Sequence, residues 1–407
     1  MSHSPETPLF PEKPAVSPKT APLSAETSTL LALSFLEGVG QRKLARLLAL
    51  YGSTQALLDA DRSALAKQRV TPEAINQLDE LAGIGEQSSL ARRSEEVLHW
   101  LAMNQAGLIS IYDETYPKQL SMIADPPVLL YFQGNMNLLS APQVAIVGSR
   151  RATSGGLDNA FQFARSLSRA GFVVTSGFAL GIDARAHEGA LQGAAGTVAV
   201  LGTGLDQTYP KRNCRLRPLI AERGVVISEF PAGTPPKREN FPQRNRIISG
   251  LSLAVLVIEA DVRSGSLITA RQALEQGRDV MAIPGSIHNP LARGCHQLIQ
   301  QGAKLTTEVD DILVEIEPQM GRRYDNVCVS SSSSPDSPLQ DQADLFDQEF
   351  SDIENEILSA LGYERSDIDT LAEQLDYPVQ EILNGIFMLE LKGVIESVPG
   401  GYSRLSV

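Results

Sequence analysis

From Gly107 onward the chain repeats one unit, a short apolar run followed by a stretch of helical period. Val144–Val147, Phe172–Thr175, Thr197–Leu201, Val225–Ile227, Ala254–Ile258 and Val280–Ile283 read as strands. Gly155–Ala170, Ala184–Gln192, Asn213–Arg223, Leu267–Glu275 and Gly294–Gln301 read as the helices between them. Strands that are apolar on both faces need cover on both faces, and crossover helices supply it. The expected fold class is therefore α/β, a doubly wound parallel sheet. In such sheets ligands bind beyond the carboxyl ends of the strands.

The flanks have other periods. Residues 1–25 are rich in Pro, Ser and Thr and read as a disordered arm. Residues 26–106 read as a helical domain, with Leu-rich helices on either side of Gly38-Val39-Gly40. That turn opens a basic helix at Gln41-Arg42-Lys43 and resembles a helix-hairpin-helix or SAM-like element. It serves either as a tight interhelical turn or as a phosphate-holding helix start. Residues 107–317 form the α/β core, and 318–350 an acidic, serine-rich linker. In 351–407, helices at Ile353–Leu361, Ser366–Leu375 and Val379–Leu391 precede a hairpin through Pro399-Gly400-Gly401, the pattern of a winged helix. Val379–Leu391 contains no Lys or Arg but carries Glu381 and Glu390, which favours a protein contact over a phosphodiester contact.

The net charge of −13 argues at first against a polyanionic partner. Its distribution reverses that. Residues 143–304 hold 19 Lys and Arg against 11 Asp and Glu, whereas 305–407 hold 5 against 22. A basic middle beside an acidic tail suits a polyanion held by the middle. Cys214, Cys295 and Cys328 are widely spaced, so neither a disulfide framework nor a structural metal site is expected. No secretory leader and no apolar run of membrane-spanning length are recognisable, and the expected location is the cytoplasm.

The polar motifs fall at the strand ends. The first strand ends in Gly148-Ser149-Arg150-Arg151, with Gly155-Gly156 opening the next helix. Small residues let the backbone approach an anion, and the two arginines suit phosphate. This is not the dinucleotide fingerprint, and no Gly-Lys pair exists for a Walker loop. The next strand ends run Ser176-Gly177 through Asp183, and Gly202 through Tyr209-Pro210-Lys211-Arg212-Asn213. Asn240-Phe241-Pro242-Gln243-Arg244-Asn245-Arg246 and Arg263-Ser264-Gly265-Ser266 supply two further loops. Together they make a positive groove, with Tyr209 and Phe241 as stacking faces for unpaired bases. Catalytic readings are weaker. His187-Glu188 lacks the second His of a metalloprotease helix, and His187 reads as a buried residue bonded to Asp183. Glu259 reads as a partner for Arg263 or Arg271, and the adjacency of Cys295 and His296 as incidental. No catalytic residue, metal or cofactor is expected.

These ordered motifs strongly resemble the DprA (Smf) family of bacterial DNA-processing proteins. The resemblance spans about 115–305 and includes Tyr116-Pro117, Asp125-Pro126-Pro127, Leu130-Tyr131, Gly134, Thr269-Ala270 and Ile283-Pro284-Gly285. Phe178 stands where leucine is expected. The resemblance implies an extended Rossmann core and a binder rather than an enzyme. It implies a homodimer that binds single-stranded DNA, protects incoming DNA and loads RecA during natural transformation. By it, Arg150 and Lys211 clamp phosphates, and Ser149, Ser176, Gly177 and Asn213 line the pocket. Arg244 and Arg246 support or contact the strand, and Phe241 stacks. Two other readings compete. A nucleotide phosphoribohydrolase would need a PGGxGTxxE signature, and Pro399-Gly400-Gly401 lies in the wrong domain without its continuation. An interaction scaffold would dock a partner on the acidic tail.

Overall fold

A computed structural model describes residues 23–320 and 351–404, apart from 362–366, 376, 393 and 399–400. Most of the proline-rich arm and of the linker, and the tip of the expected hairpin, lie outside the described residues. The chain divides into two compact units, one of residues 1–151 with 160–316, the other of 317–407 with 152–159.

The first unit is built on a nine-stranded sheet. Its strands are β1 (Ala106–Ser110), β2 (Leu129–Gly134), β3 (Gln143–Gly148), β4 (Val173–Ser176), β5 (Thr197–Leu201), β6 (Val225–Ser228), β7 (Ala254–Ile258), β8 (Asp279–Ala282) and β9 (Lys304–Leu305). Their spatial order is β1-β2-β6-β5-β4-β3-β7-β8-β9. From β6 to β9 every pairing is parallel. β1 and β2 add an antiparallel edge that the apolar periodicity did not reveal. Strands β3 to β7 are buried at nearly every position, which is why they read as continuous apolar runs. The chain winds outward from β3 to β6, then returns to place β7 on the other side of β3. The crevice between the ends of β3 and β7 is thus the switch point where such sheets hold ligands.

Asn240–Arg246, expected as a loop, is instead the start of a helix, Asn240–Leu251. Its Pro242 stands in the first turn, where no N–H is needed, and Ile247, Ile248 and Leu251 bury its far half. Lys211–Arg215 forms a 3-10 turn ahead of a helix beginning at Leu216, rather than one helix from Asn213. The N-terminal helices share a core with one face of the sheet, with Leu30, Leu44 and Leu57 in the same cluster as Leu108, Leu129 and Tyr131.

The second unit holds helices Asp352–Leu361, Ile368–Leu375 and Val379–Leu391, and the hairpin β10 (Ile395–Val398) with β11 (Gly401–Arg404). Ile357, Leu371, Ile382, Ile386 and Leu389 form its core. Three helices and a hairpin make a winged helix.

Candidate nucleic-acid interface

The loops after β3 and β7 and the start of helix Asn240–Leu251 enclose an open groove of about 800 Å³. Gly148, Ser149, Arg150, Arg151, Phe241, Arg244 and Asn245 line it, as expected from the sequence. At Gly148 the backbone of β3 presses so closely on β7 that a Cβ would overlap the Ile258 carbonyl. At Gly181, φ is +77° and a Cβ would strike the Ser149 carbonyl. These approaches fix the loop that bears Arg150. The Ser149 hydroxyl also accepts from Arg151 N at 3.1 Å, which tightens the same turn.

Several expected residues act one layer below. Ser176 is fully buried, and its hydroxyl donates to the Ile146 carbonyl at 2.6 Å, tying β4 to β3. Gly177 begins a loop held by Asp183, whose Oδ2 accepts from Gly177 N at 3.1 Å and Ala179 N at 3.2 Å. Asn213 holds that loop from the other side, its Nδ2 donating to the carbonyls of Phe178 at 3.0 Å and Ala179 at 3.2 Å. The bonds explain how buried Phe178 keeps a φ of +57°, a conformation that costs a bulky residue roughly 1–3 kcal/mol. Thus Ser176, Gly177 and Asn213 shape the groove floor.

Arg244 forms part of that floor. It is only 4% exposed and donates to the carbonyls of Gly177 and Val200. Burial lowers its guanidinium to about 10, although Asp183 opposes the drop. Burial likewise raises the Asp183 carboxyl, while Arg244 and, more weakly, Arg150 pull it back. Arg246 does not reach the groove. It is 3% exposed and pairs with Glu229, itself 2% exposed, through contacts of 2.5 and 2.9 Å. Its own burial opposes charge, but Glu229 and Asp125 more than compensate and raise it.

Phe241 stands at the centre of the groove wall. Its ring centroid lies 5.6 Å from that of Tyr209, 5.8 Å from the Arg150 Cζ and 6.0 Å from the Arg244 Cζ. Two aromatic rings beside an exposed guanidinium offer both a stacking face and a charge. Lys211 and Arg212 are exposed on the turn after Tyr209 but do not line the groove. Arg238 and Arg263, which the strand-end reading did not single out, do line it and are exposed. The signal for Arg238 was present as Lys237-Arg238 in the proline-rich stretch before Phe241. The helices starting at Asn240 and Ser266 begin here, adding the positive ends of their dipoles.

His187 is buried, but its Nδ1 pairs with Thr197 Oγ1 at 2.7 Å rather than with Asp183, whose carboxylate already faces the Gly177 loop. Burial lowers its pKa to about 3, so it stays neutral. Cys295 is buried and its thiol contacts the Val257 carbonyl, while His296 Nε2 bonds the Gly285 backbone. Among the described residues no cluster of His, Cys, Asp and Glu is placed to hold a metal ion. Among them, too, no helix is long and apolar enough to cross a membrane.

Comparison with known proteins agrees with this geometry. The family model for DNA recombination-mediator protein A matches residues 107–317, and that for the DprA winged helix domain matches 334–401. Protein Smf of Escherichia coli is 44% identical over 320 residues, covering 78% of this chain and 82% of its own. DNA processing protein DprA of Streptococcus pneumoniae is 51% identical over 208 residues, 51% of this chain and 73% of that protein. The crystal structure of the Streptococcus pneumoniae DprA covers 71% of this chain and 96% of its own, with a TM-score of 0.58 and 38% identity. The chain belongs to the DprA (Smf) family of DNA-processing proteins.

Proposed function

We propose that the protein binds single-stranded DNA in the groove between the ends of β3 and β7, without base-specific readout. The observation that carries this reading is the convergence of Arg150, Arg151, Arg238 and Arg263 around the exposed Tyr209–Phe241 pair. Cations at that spacing neutralise a phosphodiester chain, and the rings take unpaired bases, which a duplex keeps stacked internally. Lys211 and Arg212 extend the cationic track past Tyr209. Ser149, Ser176, Gly177, Asn213 and Arg244 hold the track's shape, and Arg246 anchors its helix from behind. In this reading the protein is a binder, not an enzyme, and uses no cofactor.

Membership of the family supports the wider role: a cytoplasmic homodimer that protects incoming single strands during natural transformation and loads RecA onto them. The acidic winged-helix unit serves protein contact in this scheme, since Val379–Leu391 offers no cation to a phosphate. The test is a gel-shift series with single- and double-stranded oligonucleotides of equal length. Single strands should bind at lower protein concentration, and Arg150→Ala with Lys211→Ala should abolish the shift at moderate salt while the circular dichroism stays unchanged. Equal binding of both forms, or an unaffected double variant, would overturn the assignment.

A further inference from the structure

Helix Asn240–Leu251 has a second side. Its first turns present Phe241, Arg244 and Asn245 to the groove. Arg246 turns the other way, toward a separate cavity of about 770 Å³ that Arg42, Asp125 and Gln276 also line. There Arg246 pairs with Glu229, and its Nε lies 3.2 Å from Asp125 Oδ2. Arg42 Nε reaches the same Asp125 oxygen at 2.8 Å from helix Gln41–Tyr51. Two guanidinium groups thus face two carboxylates.

The balance depends on the N-terminal helix. Without Arg42, Arg246 alone would face both Glu229 and Asp125, leaving one negative charge in excess. Arg246 and Glu229 are 3% and 2% exposed, so little water reaches them to screen that excess. Arg42 itself is half exposed, so its removal opens no core. The same cluster fixes backbone. Arg246 donates to the carbonyls of Gln243 and Asp125, each at 3.0 Å, and Gln276 Nε2 donates to the Arg246 carbonyl at 3.1 Å. The first turns of the groove helix are therefore held from behind. This also accounts for the basic helix after Gly38-Val39-Gly40: Arg42 serves Asp125, and Lys43 donates to the Arg69 carbonyl.

We propose that Asp125 is a positioning residue for the groove, and that the N-terminal helical segment supports strand binding by supplying Arg42 to it. The inference rests on the single-strand reading of the groove. Its test uses the full-length protein, a fluorescein-labelled oligo-dT, and amide hydrogen exchange over residues 240–251 without DNA. The variants are Arg42→Ala, Arg42→Lys, Asp125→Asn, the Arg42→Ala/Asp125→Asn double, and Arg150→Ala as the groove reference. Arg42→Ala should weaken binding about two- to fivefold, the range of a solvent-exposed pair, and speed exchange over 240–251. Arg42→Lys should keep both near wild type. The double variant should recover affinity and protection, because one guanidinium then faces one carboxylate. A double variant no better than Arg42→Ala, or an Arg42→Ala indistinguishable from wild type, overturns the inference. If Arg150→Ala weakens binding while Arg42→Ala is silent in both measurements, the relay alone fails. If the wild type does not bind oligo-dT, or Arg150→Ala has no effect, the single-strand reading fails and the inference falls with it.

Discussion

Helix Asn240–Leu251 of the core and helix Val379–Leu391 of the winged helix are both placed where nucleic-acid recognition is expected, one at a sheet switch point, the other as the third helix of its motif. Their chemistry is opposite. The core helix brings Phe241 and Arg244 to a groove shared with Arg150, Arg238 and Arg263. The winged-helix element exposes Val379, Leu383, Phe387 and Met388, with Glu381 and Glu390 beside them. The fold supplies a position, but the exposed side chains decide what can occupy it. The same lesson holds within the core helix, where Arg244 and Arg246 are two residues apart. One forms the groove floor and the other an ion pair behind it.

The comparison can be broken or sharpened experimentally. The largest effect should come from Arg246→Ala. It leaves Glu229 buried without its partner and should cost about 3–5 kcal/mol of stability, read from denaturant unfolding. A loss below about 1 kcal/mol would mean that Arg246 is not the anchor of its helix. Next, Phe241→Ala should weaken single-strand binding by about 1–3 kcal/mol with little change in stability, the cost of one lost stacking face. Fluorescence titration with a 2-aminopurine oligonucleotide reads it directly, through loss of the quenching that a stacked base shows.

His187 gives a pH test of the buried layer beneath the groove. Burial lowers its pKa to about 3 from an ordinary 6.5, so the unfolded chain binds a proton that the native state refuses. Its contribution is fully present above pH 6.5 and is lost as pH falls from there toward 3, by about 1.4 kcal/mol per pH unit. Asp183, raised by burial, works in the opposite sense on protonation. A His187→Asn variant should flatten the acid side of the stability curve, and an unchanged slope would show that another group controls it. The smallest effect belongs to the other helix. Leu383→Ser with Phe387→Ser should change stability by no more than about 0.5 kcal/mol and leave oligo-dT affinity within experimental error. A large loss of affinity would move DNA binding onto the winged helix.

Much of this was legible in the sequence because burial on both faces leaves a continuous apolar signature. Thr197–Leu201 and Ala254–Ile258 stand in the sheet with the bounds that pattern predicts. The groove loops followed, since polar motifs after such strands must lie at their carboxyl ends. What stayed hidden depends on distant partners. Nothing near Arg246 says that it will turn toward Glu229, 17 positions away, or toward Asp125, 121 positions away. His187 was assigned the nearby Asp183, yet its partner, Thr197, comes from the neighbouring strand. The start of helix Asn240–Leu251 was obscured because Asn240–Asn245 is polar and contains Pro242, so it lacks the periodic face by which helices are recognised.

The most direct test of the central claim is the salt dependence of oligo-dT binding by wild type and by Arg150→Ala with Arg238→Ala. Each phosphate neutralised on a single strand adds about 0.7 to the slope of log affinity against log salt. The account predicts that the variant's slope is shallower by about 1.4 at the same oligonucleotide length. An identical slope in both proteins would contradict it, because the strand would then be held by cations elsewhere.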